Sequence, residues 1–382
     1  MGDNPYIYIE TQECLNNLVE KLAKASRIAL DTEADSLHRY SAKVCLIQVA
    51  SDEEQYLVDP LANINIEELL NIFSQKQIFL HGGDYDLRML RECYGFEPQQ
   101  PVFDTMLAAK LLGFDRLGLA ALVEKYCEVL LSKQGQKSDW SRRPLTEDQK
   151  KYASDDTRYL FCIADKLIDK LQKTNRLAWH SEICERMVLS TKHVQEIDRD
   201  KLWRIKGTSF FDRKQLNMLK HLWEWREEEA KKINVPSFKV FHNKGLIDFS
   251  ERFSSKNKPQ KEDCKFPVIK NKEKLKNFKE AVKKALAVVP EEWPQKEKRK
   301  RKPSLPDCSV QINAFKNKSE QIAVKRKIPL SVLAPKQVIE KIVRSEKTTK
   351  EDLEKACGLM KWQAELLAPL AEEVAAYKRQ DT

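Results

Sequence analysis

The chain has 382 residues, too many for one ordinary hydrophobic core, so two or three domains are expected. Hydrophobic residues make up 41% of it and charged residues 33%, which excludes a disordered or a membrane-embedded chain. The net charge of +10 is uneven, since residues 1–200 hold 25 Lys and Arg against 33 Asp and Glu while residues 201–382 hold 43 against 25. The acidic half suits metal ions and the basic half suits a polyanion, although a solvated helix face explains any single lysine more simply.

The front half alternates short apolar runs with helical patterns, which predicts an α/β domain. Strands are predicted at 28–30, 44–50, 55–58 and 78–80, and helices at 66–73, 87–94, 105–112 and 119–126. The pattern after Pro144 is wholly helical to about residue 200.

The rear half is helical from about Phe211, and a stretch with two prolines and a basic run then predicts a linker. The predicted boundaries are an α/β domain at 1–205, a helical domain at 208–292, a basic linker at 293–319 and a second helical domain at 320–382.

Four acidic residues and one tyrosine stand at informative places in these elements. Asp31 and Glu33 are two residues apart at the end of a predicted strand, so their side chains share one face. Asp86 begins a helix after a glycine turn, and Tyr152 and Asp156 are one helical turn apart. Three separate elements can therefore direct oxygen atoms into one site.

This grouping suits phosphodiester hydrolysis. Two hard cations about 3.5–4 Å apart activate water and stabilise the leaving oxygen in such reactions. Mg²⁺ prefers carboxylate oxygen, and four clustered carboxylates without a cation would raise one another's pKa. A neighbouring tyrosine can orient the attacking water. A lone D-x-E motif is usually a solvated edge, so the combination carries the prediction.

The whole pattern resembles the tyrosine-bearing branch of the DEDD exonucleases, and most closely the ribonuclease D family. The motifs that carry this resemblance are 28–33 (IALDTE), 79–87 (FLHGGDYDL), 104–109 (DTMLAA), 139–146 (DWSRRPLT) and 152–156 (YASDD). A histidine five residues before the last Asp marks the other branch, and position 151 is Lys.

The resemblance implies a ribonuclease H-like fold, with a mixed sheet flanked by helices. It implies that Asp31, Glu33, Asp86 and Asp156 ligate two divalent cations, Mg²⁺ or Mn²⁺, and that Tyr152 positions the nucleophilic water. The implied reaction is metal-dependent 3′–5′ hydrolysis of RNA, with release of 5′-mononucleotides during trimming of tRNA precursors or other structured RNA.

The aromatic residue that often follows D-x-E in ribonuclease D is Ala34 here. Leu37 or His38 is then the candidate to pack on the terminal nucleotide. Trp140 and Arg143 are further candidates for nucleic-acid contact, although a packing role explains Trp140 more simply. The neighbouring acids Asp35, Asp84 and Asp155 are expected behind the ligands or facing solvent, Asp104 is expected to cap a helix, and His81 is expected in a turn or core.

Residues 208–292 resemble an HRDC domain, a small helical module that implies phosphate contact with structured RNA. Residues around Gly358 to Trp362 resemble a second, more divergent copy. Trp223, Trp225 and Trp362 are expected to pack in cores. The lysines at 270–284 and 296–302 are expected to attract phosphate.

Nine scattered cysteines, with no C-x-x-C pair, argue against a disulfide framework and a thiolate zinc site. A reducing, cytoplasmic location is therefore expected. Two alternatives to an exoribonuclease stay open: a 3′–5′ exonuclease that acts on DNA, because no motif reads the 2′-hydroxyl, and a non-catalytic RNA-binding scaffold.

Overall fold

The structure is a computed structural model that describes residues 6–132, 135, 138–192, 198, 201–254, 269, 271–296 and 307–380. Contacts divide these residues into two compact units. The first comprises the described residues of 1–34, 44–193 and 305–382, and the second those of 35–43 and 194–304.

The first unit is built on a mixed sheet. Its strands are β1 (Ile7–Ile9), β2 (Arg27–Ala34), β3 (Val44–Ala50), β4 (Gln55–Val58), β5 (Gln77–Leu80) and β6 (Val102–Asp104). They lie in the order β1-β4-β3-β2-β5-β6. Strand β3 runs antiparallel to β2 and β4, whereas β2, β5 and β6 are mutually parallel. The predicted mixed sheet flanked by helices is thereby confirmed.

Buried apolar sequence explains the central strands. Every residue of β3 is buried, as expected for a strand covered on both faces. Strand β2 continues to Ala34, beyond the Asp31 end that its apolar run predicted, because the acidic residues pair with β3 as the apolar ones do. Strands β1 and β6 were not predicted, because three residues are too few to show the alternation of apolar and polar residues.

Eight helices accompany the strands in the described part of residues 6–192. They are α1 (Gln12–Lys24), α2 (Glu67–Ser74), α3 (Asp84–Tyr94), α4 (Thr105–Leu111), α5 (Leu119–Cys127), α6 (Glu147–Arg158), α7 (Leu160–Lys173) and α8 (Leu177–Lys192). Helix α6 begins with a reciprocal capping box between Thr146 and Gln149, which fixes its first turn.

The second unit is a small helical module. Its helices are α9 (Arg213–Lys232), α10 (Ser237–Val240), α11 (Asn243–Ser254) and α12 (Lys272–Ala287). Trp225 packs edge-on against Phe278 with ring centroids 4.9 Å apart, and Trp223 is partly buried against the same core. The predicted packing roles of these two tryptophans are confirmed. Lys270 and residues 297–302 of the predicted phosphate-attracting lysine runs lie outside the described residues.

The C-terminal helices belong to the first unit. They are α13 (Ser309–Arg326), α14 (Leu330–Leu333), α15 (Lys336–Ser345), α16 (Lys350–Cys357) and α17 (Lys361–Gln380). Helix α13 begins at Ser309, inside the range predicted as linker. Among the described helices, none has the length and apolar character needed to cross a membrane.

Helix α8 joins the C-terminal helices to the rest of the first unit. The Trp179 and Trp362 rings stack with centroids 4.6 Å apart. Arg176 donates from Nη1 to the Leu111 carbonyl oxygen at 2.9 Å and from Nη2 to the Arg326 carbonyl oxygen. Because Trp362 is only 2% exposed, the expected core role of this residue is confirmed, and the core that it enters is shared with the α/β part.

The shared core makes a stability prediction. Trp362→Ala should lower the free energy of unfolding of the first unit by about 3–5 kcal/mol, because it removes a buried ring and leaves a cavity. Urea denaturation followed by circular dichroism measures the loss. Val324→Ala is the matched control, since Val324 is 72% exposed on a neighbouring helix and its truncation should change little. A loss below about 1 kcal/mol for Trp362→Ala would contradict a shared core.

Candidate metal centre

Strand β2 supplies two of the predicted ligands from the middle of the sheet. Asp31 pairs with Gln48 and Glu33 with Leu46 of β3, and the register shifts just after Glu33. Since strand side chains alternate, Asp31 and Glu33 lie on one face. Both residues lie in the paired segment of β2 and β3, beyond the end of the β2–β5 pairing at Ala29.

Helix α6 brings the third carboxylate to this face. One carboxylate oxygen each from Asp31, Glu33 and Asp156 lie within 4.8 Å of one another. On the buried side of α6, Ser154 donates to the Gln55 side-chain oxygen at 2.6 Å, which ties the helix to β4. The Tyr152 hydroxyl donates to the Asp156 carboxylate. Three of the four predicted ligands and the predicted tyrosine are therefore brought together.

Asp86 lies beside this group and is held by β2. It occupies the first turn of α3 and is 7% exposed. Its Oδ1 accepts hydrogen bonds from the Thr32 backbone nitrogen at 3.1 Å and from the Thr32 hydroxyl at 2.6 Å. The residue between Asp31 and Glu33 thus orients Asp86, a role that the sequence motif gave no reason to assign.

Burial and like charge raise the pKa values of all four carboxyls. For Asp31, burial and then the charges of Asp86, Asp156 and Glu33 hold the pKa well above its usual value. Burial, followed by the charges of Asp156 and Asp86, raises the pKa of Glu33 to about 9.

For the other two carboxyls, hydrogen bonds partly offset the rise in pKa. Burial raises the pKa of Asp86 to about 6 against the opposing effect of the Thr32 donors. Burial likewise raises the pKa of Asp156 to about 7, against the Tyr152 hydrogen bond. Four clustered carboxyls of this kind fit a hard divalent cation, which neutralises the repulsion and takes oxygen ligands.

Two predicted nucleic-acid contacts are corrected by the structure. Trp140 is 1% exposed and packs against Tyr152 within the core, so its ring cannot stack on a base. Arg143 forms a bidentate ion pair with Asp59 and also donates to the carbonyl oxygens of Trp140, Arg142 and Cys45. Its guanidinium nitrogens are therefore used inside the protein rather than offered to phosphate.

The remaining acids and candidates fall outside the cluster. Asp84 is exposed, and Asp155 lies 4.0 Å from Arg158. Asp35 is fully buried, so the solvent-facing alternative was wrong for it; it accepts from the Lys43 backbone nitrogen at 2.8 Å and closes the base of the 35–43 loop. Leu37, in that loop, is 50% exposed, and its contact with RNA stays a prediction, as does that of the half-buried His38.

Two residues outside the ligand set sit where the sequence predicted. Asp104 accepts from the Leu107 backbone nitrogen and so caps α4. His81 follows β5 in the turn, where burial lowers its pKa to about 4, and its Nδ1 lies 2.9 Å from the Thr105 hydroxyl.

Comparison with known proteins agrees with this site. Residues 6–172 match the family model described as a 3′–5′ exonuclease, and residues 215–258 match the HRDC domain. Ribonuclease D of Zymomonas mobilis is 31% identical over 305 residues, which cover 74% of this chain and 73% of that protein. Ribonuclease D of Xanthomonas oryzae is 34% identical over 228 residues, or 58% and 61% of the two chains.

A solved structure extends the likeness to the whole fold. The crystal structure of Escherichia coli RNase D, described as an exoribonuclease involved in structured RNA processing, superposes with a TM-score of 0.72. Its sequence is 26% identical, and the match covers 98% of this chain and 99% of that one.

The fold and the acidic site define a 3′–5′ exonuclease of the divalent-metal-dependent DEDD class. The chain belongs to the ribonuclease D family, and it is a 3′–5′ exoribonuclease with an HRDC domain.

The raised pKa values predict how stability responds to pH and metal. A group whose folded pKa is raised stabilises the fold at low pH, and this contribution is lost as pH rises through the folded pKa. In EDTA at about pH 8, Asp31→Asn should therefore raise the free energy of unfolding by on the order of 1–3 kcal/mol, because it removes a repelling charge.

Urea denaturation at about pH 5 and about pH 8, with EDTA or Mn²⁺, measures this effect. The increase in the free energy of unfolding caused by Asp31→Asn should be smaller at the lower pH, where the wild-type carboxyls are protonated and do not repel one another. Saturating Mn²⁺ should stabilise the wild type more than Asp31→Asn. A variant less stable than the wild type in EDTA at the higher pH would show that repulsion does not govern the site.

Proposed function

We propose that Asp31, Glu33, Asp86 and Asp156 hold two divalent cations, Mg²⁺ or Mn²⁺, and that this centre removes nucleotides from the 3′ end of RNA. The observation that carries the proposal is the approach of carboxylate oxygens from β2 and α6 to within 4.8 Å. Bound cations would supply water activation and stabilisation of the leaving oxygen.

The protein's own groups have separate roles in this proposal. Strand β2 and helix α6 supply ligands whose backbones are fixed by the sheet and by a capped helix. The Thr32 donors occupy Oδ1 of Asp86, which leaves Oδ2 to face a cation. The Tyr152 phenol stays protonated near neutral pH, because burial raises its pKa above the ordinary value. Its one proton is donated to Asp156, so its oxygen is the group that can accept a hydrogen bond from the attacking water and orient it.

Structured RNA with a free 3′ hydroxyl, such as a tRNA precursor, is the proposed substrate, and 5′-mononucleotides are the proposed products. The similarity to Escherichia coli RNase D, an exoribonuclease involved in structured RNA processing, supports this class of substrate. The excess of basic residues in 201–382 supports binding of a polyanion. The eight described cysteines are free thiols, which agrees with the proposed cytoplasmic location.

The two alternative functions predict different experimental results. A DNA exonuclease would degrade matched DNA at least as fast as RNA. A non-catalytic scaffold would bind RNA and metal without turnover, but it has no reason to keep four mutually repelling carboxyls, so the geometry favours catalysis.

The ligand assignment predicts a sharp contrast between adjacent residues. Asp156→Asn should lower kcat on a 3′-tailed tRNA at least about a thousandfold with Mg²⁺ or Mn²⁺, because it removes a proposed cation ligand. Asp155→Asn is the matched control, and its rate should stay within about threefold of the wild type. Gel analysis at single-nucleotide steps gives both rates. Similar losses in the two variants would contradict the assignment.

The proposed direction of attack predicts a strict requirement at the RNA end. A 3′-phosphate should slow trimming of the same tRNA by at least about tenfold, because a further charge enters the site that binds the terminal nucleotide. A matched substrate with a 5′-phosphate serves as the control and should be trimmed normally. Equal rates for the two 3′ ends would indicate internal cleavage instead.

A further inference from the structure

A buried acid outside the proposed ligand set holds the turn that leads to Asp86. Asp104 and Thr105, at the junction of β6 and α4, are both fully buried. Asp104 Oδ1 accepts from the Leu107 backbone nitrogen at 2.8 Å, and Oδ2 accepts from the Gly83 backbone nitrogen at 2.9 Å. The Gly82 and Met106 backbone N–H groups also hydrogen-bond this carboxylate. One carboxylate thus joins the start of α4 to the turn before α3.

Thr105 holds the other end of the same turn. Its hydroxyl donates to the Leu80 carbonyl oxygen at 2.9 Å. Since that bond uses its one proton, the contact of 2.9 Å with His81 must have the His81 Nδ1 as donor. Asp104 and Thr105 together therefore contact Leu80, His81, Gly82 and Gly83, and we call the pair the Asp104–Thr105 clamp.

The turn has little room to shift. Gly82 has φ +69°, and a Cβ there would lie 2.9 Å from Met106 Cε. A Cβ at Gly83 would lie 2.6 Å from the Leu80 side chain. The two glycines therefore allow the turn to pack closely against β5 and α4.

The turn leads directly to a proposed metal ligand. The Gly83 peptide donates its N–H to Asp104 and accepts from the Leu87 backbone nitrogen at 3.1 Å, in the first turn of α3. Asp86 lies in that turn, one residue before Leu87, and its Oδ1 is engaged by Thr32. A shift of the turn would therefore move Asp86 against β2.

We propose that Asp104 and Thr105 are positioning residues for the metal centre, which set the place of Asp86 through the Leu80–Gly83 turn. The inference rests on the proposed function, because it takes Asp86 as a cation ligand. A helix cap with no further role would affect stability alone, whereas a positioning role also affects metal affinity. Outer partners of metal ligands typically change affinity or activity by about 10–100-fold when they are removed.

The test measures Mn²⁺ binding by isothermal titration calorimetry, together with kcat on the tailed tRNA and thermal unfolding in EDTA. Thr105→Val keeps the side-chain shape and removes the hydroxyl, and Thr105→Ser restores it. Asp104→Asn keeps the shape but presents an amide to the backbone N–H groups. Thr349→Val is the matched control, because Thr349 caps α16 through the Asp352 backbone nitrogen and is remote in sequence from the proposed ligands.

Thr105→Val should bind Mn²⁺ at least about tenfold more weakly and lose kcat by a similar factor, with Asp104→Asn at least as impaired. Thr105→Ser and Thr349→Val should bind Mn²⁺ as the wild type does. If Asp104→Asn does not fold, the comparison of Thr105→Val with Thr105→Ser tests the positioning role. Wild-type Mn²⁺ affinity in a folded Thr105→Val protein would overturn the clamp.

The Asp31→Asn variant shows whether a negative result contradicts only the clamp or also the proposed metal centre. Weakened Mn²⁺ binding in Asp31→Asn, with Thr105→Val at wild-type affinity, would overturn the clamp and keep the metal centre. Equal binding in the wild type and Asp31→Asn would overturn the metal centre, and the clamp inference with it.

Discussion

Mutual repulsion of clustered carboxyls is the constraint on which this active site depends. Asp31 and Glu33 lie in the middle of a sheet, and their pKa values are raised by burial and by the charges of the other acids. A flexible segment would move such groups apart, since like charges in one site are costly. The pairing of Asp31 and Glu33 with β3 and the capping box of α6 oppose that relaxation. The fold therefore maintains an arrangement that is unfavourable until a cation binds.

The supporting polar contacts follow from this constraint. Thr32 engages one oxygen of Asp86, Tyr152 donates to Asp156, and Ser154 fixes the buried face of α6. Each of these contacts fixes the position of an acidic side chain or of the helix that carries it. The C-terminal helices are joined to the α/β core by Arg176, which directly precedes α8, and by Trp179 on α8.

The sequence predicted the grouping of the acidic residues better than it predicted the residues that contact RNA. The grouping of the proposed ligands Asp31, Glu33 and Asp156 follows from the period of two in a strand and 3.6 in a helix, which involves only residues close in sequence. Asp86 was predicted from the motif around it, in which Gly82 and Gly83 specify a turn. Trp140 and Arg143 were misassigned because only the fold reveals that Asp59, far away in the chain, pairs with Arg143 and that Trp140 lies in a core. The start of α13 was missed because its few apolar residues have no clear helical period.

The proposal that four separate carboxylates bind a pair of cations can be tested by crystallography. A crystal structure of the wild-type protein soaked in Mn²⁺, with anomalous scattering recorded at the manganese edge, tests it most directly. We expect two peaks about 3.5–4 Å apart, with oxygen ligands from Asp31, Glu33, Asp86 and Asp156. Well-ordered side chains at these positions with no anomalous peak among them, at Mn²⁺ concentrations that support RNA trimming, would contradict it.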